Sequence, residues 1–129
     1  MLNELSLLIT ISSRAEEYKI MFLNQLNEYL NENASDPDIS IELLSRQFYM
    51  SRSQFYRKIK SHTNQSPIEY LRNYRLDQSL ILLQERKGKI SDVAMAVGIA
   101  DPKYFSRCFR KRFGVPPSKI QNERNVHSA

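Results

Sequence analysis

Hydrophobic residues recur at three- and four-residue intervals along most of this chain, which is the spacing of one buried face of an α-helix. In residues 18–30 this spacing predicts a first helix, and the turn-forming run at residues 33–37 ends it. Ser40 is a predicted N-cap for a short second helix over residues 41–48. The predicted apolar positions of these two helices are Met21, Phe22, Leu26, Tyr29, Leu30, Leu43, Leu44 and Phe48.

A tight turn and two further helices are predicted next. Ser51 is the expected N-cap of a third helix that extends to about residue 61. Ser66 followed by Pro67 is a strong helix start, because proline at the first helical position loses no hydrogen bond. We expect the helix that follows to extend for about 17 residues, or roughly 25 Å, and to stop at Gly88. Its apolar positions are Ile68, Leu71, Leu76, Leu80 and Leu83.

The last third of the chain predicts another short helix, turn and helix. Ser91 is the expected cap of a helix over residues 92–97, and Gly98 permits the turn. A helix over residues 102–113 should then end at Gly114. Because the whole chain contains only three glycines and five prolines, helices joined by short turns are favoured over a sheet. The predicted fold class is therefore all-α, with about seven helices.

An internal repeat organises these elements. Residues 44, 45, 48 and 50 match residues found 49 positions later, and residues 55, 57, 59, 60 and 67 match residues found 50 positions later. The repeat predicts two helix-turn-helix units, at about residues 40–62 and 91–113, joined by a linker helix over residues 67–84. We place the whole domain at residues 18–120, with an upstream remnant at 1–17 and a flexible tail at 121–129.

Charge is segregated along the chain more sharply than its net value of +5 indicates. Residues 43–68 and 102–122 contain no Asp or Glu, and both windows are rich in Lys and Arg. Two basic islands predict two contacts with a polyanion. An Arg-rich helical face is also typical of a surface that is merely solvated, but its repetition after a matched helix and turn favours binding.

The second helix of each unit has two distinguishable faces at about 100° per residue. Phe55 and Ile59 in the first, and Phe105 and Phe109 in the second, are expected in the core. The opposite faces match position by position and carry Arg and hydroxyl groups that suit base edges in a major groove. These faces comprise Ser53, Tyr56, Arg57 and Lys60 in the first unit and Lys103, Ser106, Arg107 and Arg110 in the second. For Tyr56 and Tyr104 the sequence allows two interpretations, a contact with DNA or a position beside the core.

Two stretches resemble the arabinose-regulator (AraC/XylS) family. They read MSRSQFYRK at residues 50–58 and GIADPKYFSRCF at residues 98–109, and GVPP at 114–117 and Arg75-Leu76 also fit the pattern. The resemblance covers residues 38–120. It implies a bipartite DNA-binding domain whose two recognition helices enter successive major-groove segments. The base-contacting positions that it implies are Ser53, Tyr56, Arg57, Lys103, Ser106 and Arg107. We expect phosphate contacts from Arg52, Lys58, Lys60, Arg110 and Lys111.

The sequence also departs from the family pattern. Ser45 and Ser79 replace usual alanines, and we expect both to be tolerated if each hydroxyl bonds back to a helix carbonyl. Ile120 and Gln121 replace a usual Tyr-Arg pair, which puts the docking of the final helix in question. Residues 22–66 look most like the C-terminal output domains of hybrid two-component regulators, and ordinary ligand-binding members of the family are the alternative. RNA polymerase and an upstream receiver, sensor or ligand-binding domain are the expected protein partners.

Other functions find little support in the sequence. The single cysteine, Cys108, excludes an internal disulfide, and there is no secretory leader, so we expect a bacterial cytoplasmic location. A parent that is a hybrid sensor would be anchored in a membrane, but the apolar opening of this segment is too short to span one. His62 and His127 lack ligand partners at metal spacing, and no catalytic motif is present, so we expect no enzyme, metal or cofactor. A basic RNA-binding or protein-interaction module is the alternative to DNA binding.

Overall fold

The computed structural model describes residues 3–85 and 88–127, with side chains described as far as residue 123. These residues form seven α-helices and no strand. The helices are α1 Glu4–Asn33, α2 Ile41–Gln47, α3 Arg52–Thr63, α4 Pro67–Gln84, α5 Ile90–Ala96, α6 Pro102–Phe113 and α7 Pro117–His127. The all-α prediction, with two helix-turn-helix units separated by a linker helix, is confirmed.

The chain divides into two compact units, one up to Glu32 and one from Asn33 onward. The first is α1, a helix of 30 residues that continues without a break through the boundary expected at residue 17. Phe22, Leu26 and Leu30 are buried as predicted, whereas Met21 is exposed. The second unit contains both helix-turn-helix units and the linker helix.

The two turns are closed by equivalent backbone hydrogen bonds, so the sequence repeat is also a structural repeat. The Met50 N–H donates to the Ser45 carbonyl at 3.0 Å, and the Ile99 N–H donates to the Ala94 carbonyl at 2.9 Å. Both turns also contain one residue with positive φ, Tyr49 at 56° in the first and Gly98 at 94° in the second. Each pair of helices is therefore joined by the same tight connection.

Local side-chain caps start several helices where the sequence predicts them. Ser40 accepts a hydrogen bond from the Leu43 N–H, and Ser51 and Ser66 each form a capping box with the residue three positions later. The prediction for α5 was wrong, because its N-cap is Lys89 and not Ser91. The Asp92 carboxylate accepts a hydrogen bond from the Lys89 N–H at 3.2 Å.

Most predicted apolar positions are buried or partly buried, and besides Met21 there are two exposed exceptions at the edges of helical faces. Leu43 is 41% exposed and Ile68 is 57% exposed, although both have helical spacing with buried neighbours. Two buried positions are the serines that replace usual alanines. The Ser45 hydroxyl donates to the Glu42 carbonyl at 2.8 Å, and the Ser79 hydroxyl donates to the Leu76 carbonyl at 2.6 Å. Both serines are therefore tolerated in the way we expected.

The core of the second helix-turn-helix unit is a single cluster that includes two residues of the linker helix. Its buried members are Leu76, Leu83, Val93, Ala94, Val97, Ile99, Phe105 and Phe109. Ile120 of α7 packs against this cluster, and the Gln121 amide donates to the Gly88 carbonyl at 2.8 Å. The final helix is therefore docked despite the departure from the family pattern. It extends to His127, whereas the sequence predicted a tail from residue 121.

Candidate nucleic-acid interface

Helices α3 and α6 each bury one aromatic or aliphatic face. Phe55 and Ile59 of α3 are 1% exposed, and Phe105 and Phe109 of α6 are fully buried. The hydrophobic effect therefore fixes the rotation of both helices about their axes. The side opposite these residues is left for contacts with another molecule.

On α3 the structure brings all the predicted base-contacting residues together. Ser53, Tyr56 and Arg57 are exposed, and they line one open pocket of about 350 Å³ with Arg52. A hydroxyl, a phenol and two guanidinium groups thus share a single surface. Such a surface offers hydrogen-bond donors for base edges and positive charges for phosphates.

The predicted residues of α6 also share one face. Lys103, Ser106 and Arg107 are separated by three positions and by one position, so they lie within one turn of the helix. Lys103 and Arg107 are exposed, and Ser106 is partly buried. The Arg107 guanidinium lies over the Tyr104 ring, 5.9 Å from its centroid. A cation over an aromatic ring is held in place by electrostatic attraction. Tyr104 therefore lies beside Arg107, a contact that the sequence did not reveal.

The predicted phosphate contacts lie at the surface of the same two helices. Arg52, Lys60, Arg110 and Lys111 are exposed, whereas Lys58 is partly buried. The Lys60 ammonium donates to the Asn64 carbonyl at 3.3 Å, at the C-terminus of α3. Four of the five side chains are therefore accessible to a phosphate.

One arginine of the second basic island serves the fold. The Arg112 guanidinium forms two parallel hydrogen bonds to the Asp77 carboxylate, from Nε at 2.8 Å and from an Nη at 3.0 Å. This bidentate pair joins α6 to the linker helix. No local sequence pattern indicates this pair, because the partners are 35 positions apart.

A second arginine, in the linker helix, holds the loop that leads into the first helix-turn-helix unit. Arg75 of α4 donates to the carbonyls of Ala34 and Asp36, both at 2.8 Å. Burial lowers the pKa of its guanidinium, and the nearby Asp36 opposes that effect. Burial also raises the pKa of the neighbouring Tyr74 phenol, with a smaller contribution from Tyr70. Arg75 is therefore a structural residue of the loop before α2.

Two further observations concern other kinds of site. Within residues 3–85 and 88–123, no group of three or more His, Cys, Asp or Glu side chains is placed to hold a metal ion. Among the described helices, none is both long enough and apolar enough to cross a membrane.

Comparison with known proteins gives consistent matches. A helix-turn-helix domain family matches residues 44–123. The histidine kinase P4 of Formosa agariphila is 35% identical over 114 residues, covering 88% of this chain and 8% of the kinase. The HTH-type transcriptional activator RhaS of Escherichia fergusonii is 31% identical over 104 residues, covering 81% of this chain and 37% of the activator. This chain thus spans well under half the length of either relative.

A solved structure extends the match to three dimensions. The DNA-binding domain of AdpA, described as a global transcriptional factor and solved in complex with a target DNA, superposes with a TM-score of 0.74. It is 25% identical, and the alignment covers 81% of this chain and 94% of that domain. The repeated unit, the shared exposed faces and a family match over more than half of the sequence together show that this chain belongs to the AraC-type helix-turn-helix family of DNA-binding transcription regulators.

Proposed function

We propose that this segment reads an asymmetric duplex site by inserting α3 and α6 into two successive segments of the major groove. The observation that carries the proposal is the pair of matched exposed faces, each fixed by two buried hydrophobic residues and each centred on an arginine. Arg57 and Arg107 are the candidates for bidentate guanine contacts, one in each half of the site. Ser53, Tyr56, Lys103 and Ser106 are assigned to neighbouring base edges, and no reaction is assigned to the segment.

Phosphate contacts are assigned to the cations that flank these faces. Arg52, Lys60, Arg110 and Lys111 are exposed beside the two faces, and Lys58 is the partly buried fifth member of the set. Contacts of this kind set the register on the duplex and carry no sequence information. They supply the part of the binding affinity that does not depend on the DNA sequence.

The segment acts, in this proposal, as the output module of a larger signal-responsive regulator in the bacterial cytoplasm. The likeness to a histidine kinase supports a hybrid two-component parent that carries an upstream receiver or sensor. A parent of this kind is anchored in a membrane. The alternative is an ordinary ligand-binding member of the family as the parent, and the likeness to the transcriptional activator RhaS supports only that the parent regulates transcription. RNA polymerase is the proposed partner at the promoter.

The test is fluorescence anisotropy with a duplex selected from a random pool, compared with a random duplex, single-stranded DNA and double-stranded RNA. We expect Arg57→Ala and Arg107→Ala each to cost about 1–3 kcal/mol on the selected duplex and little on the random one. Arg46→Ala is the matched control, since this exposed arginine pairs with Glu42 on α2. Equal binding of all four nucleic acids would contradict the proposal, and preference for RNA would favour the alternative module.

A further inference from the structure

A cleft of about 390 Å³ lies between the first helix-turn-helix unit and the start of α6. The residues that line it come from the start of α2, the first position of α3, the first half of α4, the second turn and α6. Its volume falls in the range of about 300–1,000 Å³ that is usual for small-molecule sites. The predicted DNA-contacting residues other than Arg52 lie outside it.

Its walls are mainly apolar. Ile39, Leu71 and Ile99 line it with buried side chains, and the exposed side chain of Ile68 forms part of its surface. The Tyr104 ring also lines the cleft and is 39% exposed. An apolar molecule placed here removes its own surface from water, together with the exposed parts of Ile68 and Tyr104.

The charges of the cleft are unbalanced. Among the residues that the structure describes, neither the Arg52 nor the Arg72 guanidinium has a hydrogen-bond or ion-pair partner. Arg75 is engaged by the carbonyls that hold the loop before α2. The one carboxylate in the described lining, that of Glu42, lies 2.9 Å from Arg46. Within the described lining, Arg52 and Arg72 therefore bring two positive charges to the cleft that no carboxylate pairs with.

We propose that this cleft binds a small amphipathic anion, with an aromatic or branched apolar body against Ile39, Leu71 and Ile99 and a carboxylate between Arg52 and Arg72. Guanidinium groups bind carboxylates through paired, charge-assisted hydrogen bonds, which are stronger than those between neutral groups. The apolar body gains from burial, and the carboxylate supplies the missing counter-charge.

The position of Arg52 gives the site a consequence for DNA binding, which rests on the proposed function. Arg52 lines the cleft and also lines the surface formed by Ser53, Tyr56 and Arg57. A carboxylate that holds Arg52 in the cleft removes one cation from the phosphate contacts. The anion and the duplex then lower each other's affinity by the same factor.

The first experiment titrates the 129-residue chain with 2-naphthoate by calorimetry in the absence of DNA, with the neutral 2-naphthamide as the matched ligand control. We expect saturable binding of one naphthoate per chain, at least about tenfold tighter than binding of the amide. Arg72→Gln should weaken it by at least about tenfold, because the substitution removes the charge and keeps most of the side chain. Ile68→Glu should weaken it as well by placing a negative charge at the cleft.

Two control variants test specificity. Lys119→Gln removes an exposed cation. Ile81→Glu adds a carboxylate at a 48% exposed position of α4, the helix that contains Ile68. Neither residue lines the cleft. Both should bind naphthoate as the parent does, and thermal melting establishes that all four variants are folded. The absence of saturable binding, or parental binding by Arg72→Gln and Ile68→Glu, would overturn the proposal. Binding of an octapeptide of Leu and Glu without binding of naphthoate would assign the cleft to a protein segment instead.

A second experiment adds naphthoate to the complex with a selected duplex. The apparent Kd for the duplex should rise in the parent and remain constant in Arg72→Gln. An unchanged Kd in the parent would overturn the link through Arg52. If the parent fails to bind any duplex, the proposed function fails while the naphthoate titration still decides the cleft. If Arg72→Gln weakens duplex binding and the parent does not bind naphthoate, the cleft is instead a contact site for the DNA backbone.

Discussion

Residues 49 and 98 occupy the same position in the two helix-turn-helix turns, and the chain fills that position in two different ways. Both have positive φ, a conformation that costs an L-residue about 1–2 kcal/mol and costs glycine very little. Tyr49 is 97% exposed. At Gly98 a Cβ atom would lie 2.6 Å from the Ala34 carbonyl oxygen and 3.2 Å from the Ser35 carbonyl carbon. Only the second turn therefore lacks space for a side chain.

This difference predicts opposite responses to substitution. Gly98→Ala should destabilise the fold by about 2–4 kcal/mol, because it adds both backbone strain and a collision with backbone atoms. Tyr49→Gly should leave stability unchanged or raise it by up to about 1 kcal/mol, since relief of strain exceeds the entropy cost of glycine. Urea denaturation of both variants measures these changes. A Gly98→Ala protein as stable as the parent would show that the loop before α2 moves aside without cost.

At the scale of the element, α3 begins with a capping box that involves only four consecutive residues. Ser51 accepts a hydrogen bond from the Gln54 N–H at 3.1 Å, and the Gln54 side chain accepts one from the Ser51 N–H at 3.0 Å. Ser51→Ala should therefore lower the free energy of unfolding by about 0.5–2 kcal/mol.

Ser53 is the matched control for that substitution, because it is also an exposed serine in the first turn of the same helix. Ser53→Ala should change stability by less than about 0.5 kcal/mol and should weaken binding to a selected duplex instead. The two variants thus separate stability from DNA recognition in parallel melting and anisotropy measurements. The reverse pattern would place Ser51 in the interface and Ser53 in the cap.

The features that the sequence predicted are those encoded over a few consecutive residues. Helical spacing predicted six of the seven helices, all but α7. It also placed Phe55, Ile59, Phe105 and Phe109 in the core, since each depends only on neighbours within one or two turns. The N-cap of α5 was misassigned because Lys89 starts the helix without a side-chain cap, and its own backbone N–H donates to the Asp92 carboxylate instead.

Features made by residues far apart in sequence were not predicted. The Arg112–Asp77 pair, the Arg75 hydrogen bond to Ala34, 41 positions away, and the cleft all depend on how the helices pack. The exposure of Leu43 and Ile68 has the same origin, because a position at the edge of an apolar stripe is buried only if another helix covers it. The predicted site residues required no such information, since each set lies on one helix.

At the scale of the whole molecule, DNA binding should depend strongly on salt. The two basic islands are expected to neutralise roughly five to eight phosphates, which gives a slope of about −5 to −7 for log K against log salt concentration. Lys111→Ala should reduce that slope by about 1 on every duplex, whereas Arg14→Ala, on α1 and outside both basic islands, should leave it unchanged. A parental slope shallower than about −2 would exclude two extended phosphate contacts.

The spacing of the two halves of the DNA site should be fixed by the linker helix. Its 18 residues form one continuous helix of roughly 27 Å. The centres of the two half-sites should lie about 34 Å, or 10 base pairs, apart on one side of the duplex. Insertion of five base pairs between the halves should reduce affinity to that of a single half-site. Unchanged affinity would mean that only one of the two units binds.

The linker helix also determines how the two units respond to denaturation. It packs against α3 of the first unit and against α5, α6 and α7, and its Leu76 and Leu83 belong to the core of the second unit. Because neither unit can bury its apolar surface without this shared helix, residues from Asn33 onward should unfold as one cooperative body. A core mutation in one helix-turn-helix unit therefore lowers the folded fraction of both recognition helices together. No partly folded state with a single DNA-binding unit accumulates.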